Sequence, residues 1–105
     1  MVEVKVNPGI CGFNTTIKVE SQDMQNALIH MESDCGKIKK MSIKLKEVDG
    51  FKECFGAIGD CECFKVGGEC GLHAACPVPT AIIKGIEVAC GLALPQDVDI
   101  KIENN

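Results

Sequence analysis

Two prolines at one end, Pro77 and Pro79, and Gly91 with Pro95 at the other bracket the stretch whose fold is most narrowly constrained. Proline fixes φ near the helical value and suits a first helical turn. From Thr80 the apolar residues Ile82, Ile83, Ile86, Ala89 and Cys90 recur at three- and four-residue steps, the period of a helix. Gly91 suits the C′ position, and Pro95 blocks continuation. Just before this helix, Cys70, His73 and Cys76 place two thiols and an imidazole within seven residues. Cys76 is therefore expected beside a helix N-terminus. Unpaired N–H groups and the helix dipole there favour an anion, so its thiolate is expected to be favoured. The competing reading is a small buried hydrophobe.

The rest of the chain reads as strands followed by helices. Val2, Val4 and Val6 alternate with Glu3 and Lys5, the pattern of a half-buried strand. Asn7-Pro8-Gly9 signals a turn and leaves Cys11 in or beside a hairpin loop. Phe13, Thr15, Ile17 and Val19 give a second strand. Met24–Asp34 fits a helical face (Met24, Ala27, Leu28, Met31) and a strand face (Ala27, Ile29, Met31); its length and its place after a hairpin favour a third antiparallel strand. Asp34 suits an N-cap for a helix carrying Ile38, Met41, Leu45 and Val48, which puts Cys35 at a second helix start; a strand through Met41, Ile43 and Leu45 competes. Phe51, Cys54, Phe55 and Ile58 outline a short amphipathic helix. Residues 61–68 read as a loop with one extended or helical turn. Asp97–Ile102 alternates as a final strand, and Glu103–Asn105 is expected to fray.

A chain of 105 residues, 46% of them apolar, makes one domain with its own core, over residues 1–105. No apolar run approaches the ~20 residues of a membrane span, and the alternating N-terminus lacks a signal-peptide core. A cytoplasmic location is expected. Eight cysteines in a reducing compartment point to metal or thiol chemistry rather than to disulfides, although the even count is compatible with four bridges in a secreted protein. The net charge of −4 speaks against nucleic acid, and with no Trp or Tyr only four Phe remain for base stacking. The run Lys37, Lys39, Lys40, Lys44 and Lys46 reads as a solvated helix face. Its second reading is a docking patch for an acidic protein at Lys37, Lys40 and Lys44.

The cysteines sort by neighbourhood. Cys54 and Cys90 fall on apolar helix faces and read as core. Cys61 and Cys63, as Cys-x-Cys, point the same way in an extended segment. Cys11, Cys35, Cys70 and Cys76 each sit beside Gly or Pro, at an expected turn or helix entry. Three or four thiolates, with His73, make the ligand set of zinc or an iron–sulfur cluster. No Cys-x-x-Cys occurs, so any site is assembled from distant loops. His30, in a strand, reads as structural.

Cys11-Gly12 on a hairpin, Cys35-Gly36 at a helix start and Cys76 before a later helix resemble, in order and separation, the NifU/IscU-type iron–sulfur scaffold proteins. The resemblance covers about Val2 to Gly91 and implies that Cys11, Cys35 and Cys76 hold a nascent cluster or zinc. The sequence departs from that family in three places. Phe13 stands where an Asp is expected, His73 lies three residues before its cysteine rather than next to it, and the strand from Asp97 has no counterpart. The stretches Cys11-Gly12-Phe13, Ser33-Asp34-Cys35 and His73–Pro79 resemble a family of small uncharacterised proteins of anaerobic prokaryotes. That likeness implies that Cys11, Cys35, Cys70 and Cys76 belong to the family pattern.

The expectation is thus an α+β domain. A small antiparallel sheet, an N-terminal meander joined by the C-terminal strand, packs against two or three helices. The leading function is binding of zinc or an iron–sulfur cluster through Cys11, Cys35, Cys70, Cys76 and His73, without substrate turnover. A sulfur-relay or redox component working through Cys76 or Cys35 is the second reading. A structural protein with inert thiols is the third.

Overall fold

The computed structural model describes all residues, 1–105. Three long strands, β1 (Val2–Val6), β2 (Thr15–Glu20) and β3 (Asn26–Ser33), form an antiparallel meander that β4 (Glu47–Asp49) completes in the order β1-β2-β3-β4. Four helices follow or interrupt it: α1 (Gly36–Lys44), α2 (Gly50–Phe55), α3 (Glu62–Glu69) and α4 (Val78–Ala89). The class is α+β, as the residue pattern predicts. The ambiguous segment is a strand, with Ala27, Ile29 and Met31 buried and Leu28, His30 and Glu32 outward.

One sheet face carries the core. Ile17, Val19, Ala27, Ile29 and Met31 meet Ile38, Met41, Val78, Ile82 and Ile86 from the helices in one contiguous cluster. Each such side chain contributes about 1.5–3 kcal/mol by leaving water. Helix α4 lies close on β1 and β2 because Gly85 faces them. A Cβ there would meet Val4 at 3.0 Å and Val19 at 3.1 Å.

Several expectations are corrected. The helix carrying Ile38 and Met41 ends at Lys44, and Val48 reaches the core from β4 instead. Asp34 does not cap α1. Cys35 occupies the N-cap position, and its N–H donates to Ser33 Oγ at 3.1 Å. Residues 62–69 are a helix, not a loop, burying Cys63, Val66 and Gly67. Helix α2 turns opposite to its apolar pattern, with Phe51 and Phe55 exposed and Glu53 buried, and it ends before the exposed Ile58. There are four helices rather than two or three.

The C-terminal strand does not join the sheet. Val98, Ile100 and Ile102 are 57%, 74% and 91% exposed, and no backbone hydrogen bond involves residues 94–105. Alternation alone shows that a segment suits an extended conformation, not that a partner edge is within favourable reach. Helix α4 releases the chain where Gly91 touches Met24 and where Cys90 lies 3.9 Å from the Gln25 carbonyl, at the end of the sheet where β1 begins.

Candidate thiol site

The sheet register brings two of the predicted thiols to one end. Val6 pairs with Thr15, and Thr15 with Ser33, so the β1–β2 loop carrying Cys11 and the exit from β3 leading to Cys35 lie side by side. Ser33 ties them together. Its hydroxyl donates to the Asn14 carbonyl at 3.3 Å and accepts from the Thr15 hydroxyl at 2.8 Å and from the Cys35 N–H at 3.1 Å. The segment leading into helix α4 supplies the third thiol. Its C-terminal end sits at the Met24 corner and its middle on Val4 and Val19, so its N-terminal end, with Cys76, points to the Cys11 and Cys35 end.

Cys11 is exposed, and Cys35 and Cys76 are half-buried. Burial raises the Cys76 thiol above its ordinary range, and negative charge on Cys35 or Cys11 would raise it further. The Val78 N–H at the start of α4 pulls the other way and is outweighed. The expectation of a favoured Cys76 thiolate is therefore corrected: desolvation exceeds the helix-terminus effect. No three His, Cys, Asp or Glu side chains stand close enough together to hold a metal ion. The trio has the soft donors that zinc or an iron–sulfur cluster takes, but these atoms must draw together to ligate. Cys11 is the exposed member, on a loop closed by the Gly12 N–H donating to the Gly9 carbonyl at 3.0 Å.

The other two predicted donors differ. His73 is exposed and begins the turn that ends at Cys76, whose N–H donates to the His73 carbonyl at 3.1 Å. Cys70 is buried at the C-terminal end of α3, beside Lys40, Ile43, Lys44 and Glu69. The lysine side chains of α1 are solvent-exposed, and Lys44 lies 3.9 Å from Glu69.

A second group of thiols surrounds a residue the sequence does not single out. Glu53, 4% exposed, accepts the N–H groups of Glu62 at 2.9 Å and Cys63 at 2.8 Å, closing the N-terminus of α3. Cys61 and Cys63 are both pushed up, by burial first, with hydrogen bonds to the Glu53 carboxylate acting in the same direction. Cys54 is pushed up to about 12, by burial and then by Glu87, Cys90 and Glu53. These thiols are protonated packing groups at neutral pH. Cys90 is buried against Gly50, as the periodicity of α4 predicts.

Fold and site together define a small α+β domain with an antiparallel meander and three thiols gathered at one end. The chain belongs to DUF6951, a family of unknown function, whose model matches residues 2–102. No curated protein and no solved structure matches the chain.

Proposed function

We propose that this protein binds zinc or an iron–sulfur cluster through Cys11, Cys35 and Cys76, with His73 as the available fourth donor. The observation that carries the reading is the convergence of three thiols, from a hairpin loop and the two segments that lead into α1 and α4, on one end of the sheet. Burial keeps the proton on Cys76 in the metal-free protein, which speaks against a free thiolate nucleophile; a bound cation would draw that proton off. The order of the three thiol positions resembles that of the NifU/IscU-type scaffolds, which suggests the cluster-binding form of the reading. Eight unpaired thiols suit a reducing, cytoplasmic compartment. The Lys37, Lys40 and Lys44 face of α1 begins two residues after Cys35 and is the docking patch for an acidic partner that delivers or takes the metal.

Protein purified without oxygen should carry iron or zinc, or take up either on reconstitution. Absence of both metals with no uptake would remove this reading. The exposure of Cys11 favours a second one. Cys11 and Cys35 would then form a disulfide, giving two protons and two electrons to an external oxidant. Reversible formation of that bond in metal-free protein whose metal uptake fails would support it.

A further inference from the structure

An open sheet edge and an unpaired segment of this chain carry matching patterns. Strand β1 is a sheet edge, bonded to β2 on one side only. An open edge is a template for an added strand. The segment Asp97–Ile102 is the other segment: unpaired, exposed, and alternating Val98, Ile100 and Ile102 with Asp99 and Lys101. Lys101 lies 3.9 Å from Asp99, and Lys5 lies 3.6 Å from Glu3, so each segment shows its charges on one side.

Two full-length registers keep the apolar residues of both segments on one face. In the parallel one Val2 meets Val98, but Glu3 meets Asp99 and Lys5 meets Lys101, so like charges oppose. In the antiparallel one Val2 meets Ile102, Glu3 meets Lys101, Val4 meets Ile100, Lys5 meets Asp99 and Val6 meets Val98. All three apolar pairs form there, and both charged pairs are opposite in sign. Directly opposed like charges destabilise a strand pair by about as much as opposite charges stabilise it, roughly 0.2–1 kcal/mol each.

The direction of α4 decides whose β1 is used. The chain leaves α4 at the end where β1 begins, so its short return along its own edge is the parallel, repelled arrangement. A second copy related by a two-fold axis perpendicular to β1 offers its β1 in the antiparallel sense and receives the reciprocal tail, as a closed symmetric pair requires. We infer that residues 97–102 of one copy add to strand β1 of another, forming a strand-exchanged dimer.

The test is the molar mass in solution of the full chain and of two charge-reversed forms. One form is Glu3→Lys with Lys5→Glu; the other is Asp99→Lys with Lys101→Glu. All four side chains are exposed, but Glu3 pairs with Lys18 of β2. The far-UV circular dichroism of each form is therefore compared with that of the natural chain, and the Asp99→Lys, Lys101→Glu form, which leaves the sheet untouched, carries the dissociation test by itself. The natural chain should be dimeric, and each reversed form should dissociate at concentrations on the order of tenfold or more higher. Mixing the two reversed forms should restore a dimer, because each then meets a complementary strand in the other. A natural chain that stays monomeric at every concentration overturns the proposal. So does a mixture that stays monomeric, which is the result that pairing within one chain gives, and so does a dimer indifferent to both reversals.

Discussion

The hydroxyl of Thr15 meets the hydroxyl of Ser33 at 2.8 Å, joining β2 to β3 at the end of the sheet where the three thiols gather. Thr15 is 2% exposed, so water cannot replace this partner. Ser33→Ala leaves one buried hydroxyl unpaired and frees the Asn14 carbonyl and the Cys35 N–H. The expected loss is about 1–3 kcal/mol in denaturant unfolding, with weaker metal uptake in the folded fraction. Stability within 0.5 kcal/mol of the natural chain (roughly the size of an ordinary surface substitution) would show that water serves the site as well.

Glu53 offers a contrast between two variants. Glu53→Ala strips two N–H groups at the start of α3 of their acceptor, and a lost cap alone costs about 0.5–2 kcal/mol. Glu53→Gln keeps one carbonyl oxygen and should fall between the natural chain and the alanine variant. Thermal unfolding of the three proteins reads the order. An alanine variant as stable as the glutamine one would show that the carboxylate is not the cap.

Gly50 is held by what surrounds it. A Cβ there would lie 2.6 Å from Cys90 Sγ and 2.9 Å from the Gln25 carbonyl. Gly50→Ala should destabilise by about 1–3 kcal/mol. Cys90→Ala in the same chain should recover part of that loss, since it removes one of the two clashes. Additive losses in the double variant would mean that the backbone contact alone sets the cost.

Alkaline pH should destabilise this protein through its buried thiols. Cys54, Cys61, Cys63, Cys76 and Cys90 are all raised by burial, so the native state holds their protons more tightly than the unfolded chain does. Stability from this source is fully present below the ordinary thiol range near 9 and is lost as pH rises toward about 12, the value for Cys54. Unfolding midpoints should be flat from pH 6 to 8 as far as the thiols are concerned and should fall above 9, less steeply in Cys54→Ala. An equal slope in both proteins would assign the loss to other groups.

Much of the fold is legible because local patterns and tertiary contacts agree. The valines of β1, the alternation through Ile29 and Met31, and the spacing of Ile82 and Ile86 each describe a face that is in fact buried or half-buried. Legibility fails where a polar group wins the inside. Helix α2 buries Glu53 rather than Phe55 because the N-terminus of α3 supplies two donors that no periodicity reveals. It fails again at Asp97–Ile102, where alternation states a preference and the partner strand is a separate matter. Cys11, Cys35 and Cys76 are legible as positions because glycine and proline mark their turns. Their convergence needs the register from Val6 through Thr15 to Ser33, which no single segment contains.

The account's central claim is that Cys11, Cys35 and Cys76 act as one ligand set. Alkylation mapped residue by residue, with and without zinc added to the reduced protein, tests it most directly. Cys11 is exposed and nothing in the fold shields it, so only a bound ion can protect it. Zinc should slow modification of Cys11, Cys35 and Cys76 together, and Cys76→Ser should abolish the protection of the other two. Unchanged alkylation of Cys11 in saturating zinc, or protection confined to Cys54, Cys61 and Cys63, would contradict the account.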